Sequence, residues 1–198
     1  MYLIQIPICR AVEKIEFGGD KMYIWVAIDV NEQLIELREN AENYVKQQNL
    51  SSTTFSLPFH ISLKISFQIP NDKFEEAIND IRNFYKSLKP FQIIVKGIEQ
   101  ANPIIWVTMQ DSAELTDIHN KLDKMLFEKY GIIQHDFDKD FRFHTSIVII
   151  HNKQQIIRAF DAIKDTNIPK TLKADKFIIG SSTEGQPGTY SVIEEIEL

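Results

Sequence analysis

The sequence predicts an α+β fold in which two pseudo-symmetric lobes, each a small antiparallel or mixed sheet with helices packed outside, face a central cleft. Three observations predict it. Strand-like and helix-like segments follow one another in the same order in both halves. A short phrase recurs, as Ile24-Trp25-Val26 and Ile105-Trp106-Val107. A second pattern recurs as well, as His60-Ile61-Ser62 and His144-Thr145-Ser146. The tryptophans lie 81 residues apart and the histidines 84, so both series report one offset to within three residues. An internal duplication leaves that trace, and the offset is too long for a solenoid repeat.

The first half opens after Phe17-Gly18-Gly19-Asp20 with Met22 to Asp29, which is rich in β-formers and reads as a strand. Asn31 is placed to cap a helix with Leu34, Leu37, Ala41, Tyr44 and Val45 at helical spacing. Phe59 to Ile69 is the first histidine strand, stopped by Pro70. Asn71 or Asp72 then caps a helix to about Lys86, with Phe74, Ile78, Ile81 and Tyr85 on one face, and Phe91 to Ile98 returns as strand.

The second half repeats this order. Ile104 to Gln110 is strand, and Asp111 or Ser112 opens a helix with Leu115, Ile118, Leu122, Met125 and Leu126 inward, a phase that puts His119 on the exposed side. Phe141 to Ile150 is the second histidine strand, Asn152 to Lys164 a helix, and Lys173 to Ser182 a strand. Thr183 to Gly188 is a turn-rich loop, and Tyr190 to Ile196 closes the chain as strand. The turn signal Asn102-Pro103 sets the boundary between lobe halves at 100–103. Residues 1–198 form one bilobal domain, with 1–20 as an N-terminal extension able to support a dimer of an otherwise monomeric protein.

Composition narrows the function. With 43% hydrophobic and 25% charged residues and only seven Gly and seven Pro, the whole chain can fold around a core. The net charge is −6 and the basic residues are scattered, which argues against extended nucleic acid as a partner, since that binding needs many phosphate contacts. A small nucleotide or an RNA end needs only one or two cations. The single Cys9 has no partner for a disulfide and no Cys/His cluster around it. With no signal peptide and no apolar run of membrane-spanning length, a cytoplasmic location is expected.

The recurring tripeptide carries the chemistry. On a strand, side chains at i and i+2 share a face, so each segment delivers an imidazole and a hydroxyl about 7 Å apart. Histidine exchanges protons near neutrality, so two of them across a phosphodiester can deprotonate the attacking oxygen and protonate the leaving one without a metal. Ser62 and Ser146 can hold the non-bridging oxygens as these gain charge. Lys64 extends the His60 and Ser62 face and is a candidate phosphate contact, against the reading that it covers a strand end. Arg142, two residues before His144, is weighed in the same way. Tyr190 is a candidate for stacking a nucleobase, whereas Phe59 and Phe143 alternate towards the core. His135 reads as a loop residue and His151 as a turn residue. No HxH, HxxxH or Cys/His spacing supports a metal site, and no cofactor is expected.

The segments Pro58-Phe59-His60-Ile61-Ser62-Leu63-Lys64-Ile65 and Phe141-Arg142-Phe143-His144-Thr145-Ser146-Ile147-Val148 resemble the paired signatures of the two-histidine phosphoesterase superfamily. That superfamily includes 2′-5′ RNA ligase-like proteins and cyclic nucleotide phosphodiesterases. The similarity runs from Met22 to the last strand, taking in Phe177-Ile178-Ile179-Gly180-Ser181 and Gly188-Thr189-Tyr190. It implies lobes of antiparallel sheet about a pseudo-dyad, His60 and His144 as the catalytic pair, and Ser62 and Ser146 as phosphate-binding hydroxyls. It further implies hydrolysis of a 2′,3′-cyclic phosphate, a 2′-5′ linkage or a related nucleotide phosphodiester, or its reversal as ligation. Thr145 departs from the usual apolar residue, at a position that points away from the cleft. The competing reading is a module that binds a nucleotide or phosphorylated metabolite without turning it over.

Overall fold

The computed structural model describes residues 21–139 and 141–198. The N-terminal extension and Cys9 lie outside the described residues. In chain order the elements are β1 (Lys21–Asp29), α1 (Ile35–Gln47), β2 (His60–Pro70), α2 (Phe74–Lys86), β3 (Phe91–Ala101), β4 (Ile104–Met109), α3 (Ala113–Tyr130), α4 (Asp136–Lys139), β5 (His144–Ile149), α5 (Lys153–Ile163), β6 (Thr171–Ala174), β7 (Lys176–Ser182) and β8 (Ser191–Glu197). They build two four-stranded antiparallel sheets, ordered β2-β1-β7-β8 and β5-β4-β3-β6.

The sheets do not follow the sequence halves. β1 and β2 correspond to β4 and β5, but the strand on the far side of β1 is β7, from the second half, and the strand on the far side of β4 is β3, from the first. The first half therefore lends β3 to the other's sheet, and the second half lends β7 and β8. Residues 100–103, expected to divide the lobes, instead turn the β3-β4 hairpin inside one sheet, where Ala101 pairs with Ile104. The expected strand from Lys173 to Ser182 is likewise two strands in two sheets, broken at Asp175 where the chain crosses between them. Residue preference is the same on both sides of the break. Only long-range pairing separates them.

The helices pack their apolar faces on the sheets. α2 buries Ala77, Ile78, Ile81 and Tyr85, with Tyr85 stacked on Phe177 of β7 at 4.4 Å, and α5 buries Ile156, Ala159 and Ile163. β1 is buried on both faces: Ile24, Val26 and Ile28 join the main core, while Trp25 and Ala27 join Ile178 in a small cluster on the opposite face. That second face is the one carrying His60.

Helix ends follow side-chain chemistry in two cases. The Ser112 hydroxyl accepts from the Leu115 amide, and Asn152 Oδ1 accepts from the amides of Gln154 and Gln155. Asn71 and Asp72 do not cap α2; they form a 3-10 turn before it. Asn31 is not a cap either. Its Oδ1 accepts from Arg38 Nη1 (2.9 Å) and from the Phe59 amide (3.1 Å), which ties the start of α1 to the residue preceding His60. Arg38 also donates to the carbonyls of Phe55 (2.9 Å) and Leu57 (2.8 Å), so one guanidinium holds the loop that feeds the first motif strand.

His119 is buried, not exposed. It stands four residues after Leu115 and three before Leu122, within the apolar stripe of α3. Its Nδ1–H donates to the Leu63 carbonyl of β2 at 2.6 Å, so the polar ring is satisfied inside the packing between helix and strand.

Candidate active site

β2 and β5 run side by side where the two sheets meet, without sharing a ladder. The segment before β2 crosses over to support β5: Thr54 Oγ1 donates to the Ile147 carbonyl (2.8 Å), and the Ile149 amide donates to Ser52 Oγ (3.0 Å). This contact puts the two motif segments at one seam. Alternation along each strand does the rest. His60 and Ser62, and likewise His144 and Ser146, are half-buried at the seam, while Ile61, Leu63, Thr145 and Ile147 between and beyond them are buried. Thr145 faces away from the cleft, as the alternation requires.

The two imidazoles are held alike. His60 Nδ1–H donates to the Pro58 carbonyl at 2.7 Å, and His144 Nδ1–H donates to the Arg142 carbonyl at 2.7 Å, in each case two residues earlier. A carbonyl oxygen can only accept, so this bond fixes the tautomer and leaves Nε2 of each ring to exchange a proton. Burial holds the pKa of both histidines below the ordinary 6.5. For His60 the bond to Pro58 and the nearby Asp29 carboxylate oppose that shift, and the charge of His144 adds to it. That influence of His144 on His60 places the two rings within electrostatic reach of each other.

The remaining expected site residues divide. Tyr190, with Trp25, Leu57, His60 and Ser62, lines a cavity of ≈ 230 Å³ on the first lobe, and its hydroxyl meets Ser66. Arg142 is exposed at the edge of a larger cavity of ≈ 480 Å³ beside the second motif, shared with His119, Asp138, Phe141 and Phe143. An irregularity in the β1-β2 ladder sets Lys64 opposite the core residue Val26, not in series with Ser62 opposite Ala27, and the expectation of a phosphate contact is replaced by a buried ion cluster. Its side chain is 2% exposed, and Nζ is 2.5 Å from Asp138 Oδ2 and 2.7 Å from Asp123 Oδ1. Two carboxylates occupy the ammonium, and the lysine joins β2 to α3 and to α4, which leads into the second motif.

Sequence reasoning missed the roles of three pairs of residues. Arg38 and Asn31 shape the approach to His60 through contacts to backbone carbonyls and an amide, which leave no residue-type signature. Asp123 and Asp138 partner Lys64 from 59 and 74 residues away. In the sequence the tryptophans mark only the duplication, yet the Trp25 ring lies 4.5 Å from His60 and the Trp106 ring 4.7 Å from His144. Among the described residues no group of three or more His, Cys, Asp or Glu is arranged to hold a metal, and no helix is long and apolar enough to cross a membrane.

Residues 32–186 match the family model described as the 2′-5′ RNA ligase superfamily. A protein of Oceanobacillus iheyensis, provisionally named a phosphoesterase, is 27% identical over 75 residues, a match covering 36% of this chain and 44% of that protein. The chain thus spans less than half the length of that curated relative. Among solved structures, E. coli LigT complexed with 3′-AMP is similar with a TM-score of 0.56 at 15% identity, over 90% of this chain and 98% of that one. The protein TT0787 of Thermus thermophilus is similar with a TM-score of 0.57 at 13% identity, over 89% and 97%. At such identities the likeness is one of fold.

Proposed function

The chain belongs to the 2′-5′ RNA ligase superfamily, the two-histidine phosphoesterases, and from that premise we propose that it is a metal-independent phosphodiesterase acting on a 2′,3′-cyclic phosphate, a 2′-5′ linkage or a related small nucleotide phosphodiester. The observation that carries this reading is the matched pair of imidazoles, each with Nδ1–H tied to the carbonyl two residues earlier and Nε2 left for proton transfer. In the hydrolytic direction one Nε2 takes the proton of the attacking water as its oxygen bonds to phosphorus. The other imidazole, protonated, gives its proton to the ribose oxygen as the P–O bond breaks, and a phosphomonoester leaves. The hydroxyls of Ser62 and Ser146 donate to the non-bridging oxygens as charge builds there. With a nucleotide 5′-hydroxyl in place of water, the same transfers join that oxygen to the phosphorus of a 2′,3′-cyclic phosphate as the bond to the 3′ oxygen breaks and takes up the proton, which leaves a 2′-5′ linkage; in the reverse of that step the two histidines exchange roles.

The ≈ 230 Å³ cavity beside His60, walled by Leu57 and Tyr190, supports placing the planar base of the substrate there. Arg142 supports a contact to substrate phosphate from the other side. Lys64, already paired with two carboxylates, is left out of that role. The scattered basic residues favour a small nucleotide or an RNA end over extended nucleic acid.

The test is turnover of 2′,3′-cyclic nucleotides and 2′-5′-linked dinucleotides in the presence of EDTA. His60→Ala and His144→Ala are each expected to lose about 10²–10⁴-fold in kcat, the usual weight of one proton-transfer group. Full activity in either single variant rules out the two-histidine mechanism. Tight nucleotide binding with no product over long incubation favours the binding-module reading instead.

A further inference from the structure

Both tryptophans of the chain lie against a motif histidine, Trp25 on His60 at an interplanar angle of 35° and Trp106 on His144 at 55°. The ladder register does not make these contacts equivalent. His60 pairs with Asp29, two same-face steps beyond Trp25, whereas His144 pairs with Thr108, one step beyond Trp106. Irregularities interrupt both ladders near the tryptophans. In the first lobe the indole reaches its histidine along the face of Ala27, a side chain small enough to lie beneath it. Gly180, paired with Trp25 in β7, supplies the space on the other side: a Cβ there would sit 2.1 Å from Trp25 Nε1. Two different local arrangements arrive at one contact, so the contact is more than a by-product of a copied backbone.

Each imidazole is consequently fixed at two places, Nδ1–H on a carbonyl and one ring face on an indole. We propose that Trp25 and Trp106 are positioning residues of the two-histidine site, each holding its own imidazole in orientation and keeping water from one ring face, so that each sets the proton affinity of its own histidine. The proposal rests on the two-histidine reading for what these rings do in turnover, but not for the contact itself. Burial lowers both histidine pKa values, and the indoles are part of what buries them.

The charged and titratable groups around His60 are His144 on β5, Asp29 on β1 with Lys176 of β7 at 3.4 Å, Lys64 further along β2 with Asp123 and Asp138, and Tyr190 before β8. Around His144 they are His60, Arg142 two residues before it, and Glu99 of β3, which accepts from Thr108 Oγ1 and pairs with Lys96. The tryptophan substitutions leave all of these in place.

The experiment is a histidine NMR titration of the free protein. In Trp25→Leu, His60 is expected to bind its proton about threefold or more tightly, its midpoint moving up towards 6.5 as water reaches the uncovered face, while His144 moves less. Trp106→Leu is expected to do the converse. Trp25→Phe, which keeps an aromatic face, is expected to leave the His60 midpoint close to that of the parent, and Trp25→Met serves if the leucine variant does not fold. Unmoved midpoints, equal movement of both histidines in one variant, or a phenylalanine variant indistinguishable from the leucine one overturn the proposal. Because no substrate is used, the result stands apart from whether the chain hydrolyses a phosphodiester. Where it does, the pH–rate profile of Trp25→Leu shifts in the same direction as the His60 midpoint, and an unshifted profile counts against the proposal.

Discussion

His60 and His144 are each pushed towards the neutral form, and this has a consequence for the reaction. A proton-transfer pair works best between the two pKa values of base and acid, and kcat/KM reports those values in the free enzyme. With both lowered, the kcat/KM profile is expected to peak on the acid side of 6.5 and to fall as pH rises past it, because the general acid is then deprotonated. A maximum above pH 7, measured with a 2′,3′-cyclic nucleotide, contradicts this. The same shifts have a sign for stability: above 6.5 each histidine is neutral folded or unfolded. As pH falls through 6.5 towards the lowered folded values the unfolded chain takes up protons first, so stability declines over that window. At this scale the sequence was most legible where a residue type and a two-residue period coincide, as in His60, Ser62, His144 and Ser146. It was least legible where a side chain answers a distant group. Regular alternation gives Lys64 the face and the charge for phosphate, and only the fold reveals the ladder irregularity beside it and that Asp123 and Asp138 already hold it.

The lysine cluster shows how elements are held in relation to one another. Lys64 belongs to β2, Asp123 to α3 and Asp138 to α4, so one ammonium links the first motif strand to the segment that enters the second. His119 of α3 reinforces the link, with Nδ1–H on the Leu63 carbonyl and Nε2 3.2 Å from the Asp138 carbonyl. Removing one partner of a buried ion pair leaves the others charged without compensation, which costs about 3–5 kcal/mol. Lys64→Met is expected to lose stability of that order in denaturant unfolding, and a loss within about 0.5 kcal/mol, that of an ordinary surface substitution, contradicts the burial. Element types followed from period and capping chemistry: α3 and α5 begin at Ser112 and Asn152, as their residue types indicate. Asn31 has the same cap chemistry but is claimed by Arg38 and the Phe59 amide, a competition local sequence does not display.

For the whole molecule, exchange of strands between halves ties the two sheets into one cooperative unit. β1 loses one of its two neighbours if β7 detaches, and β4 loses one of its two if β3 does. Trp25 and Trp106 sit one in each sheet, so Trp25→Phe and Trp106→Phe leave proteins in which fluorescence reports a single lobe. Their unfolding midpoints, each corrected for the stability of its variant by far-UV circular dichroism, are expected to coincide with the loss of secondary structure. A lobe whose tryptophan signal changes separately from the circular dichroism contradicts the coupling. The two-lobed α+β architecture was legible from the repeated order of segments, but the exchange was not, because β3 and β7 have the same apolar character whichever sheet they join. That exchange carries an implication about ancestry. Two separate copies of a half-length chain, each lending the other the strand that β3 is in one half and β7 in the other, would set that strand beside the partner's first strand around a two-fold axis. In such a pair the hairpin turn at 100–103 takes the place of a chain boundary, and the two imidazoles at the seam hold the positions that two subunits would share.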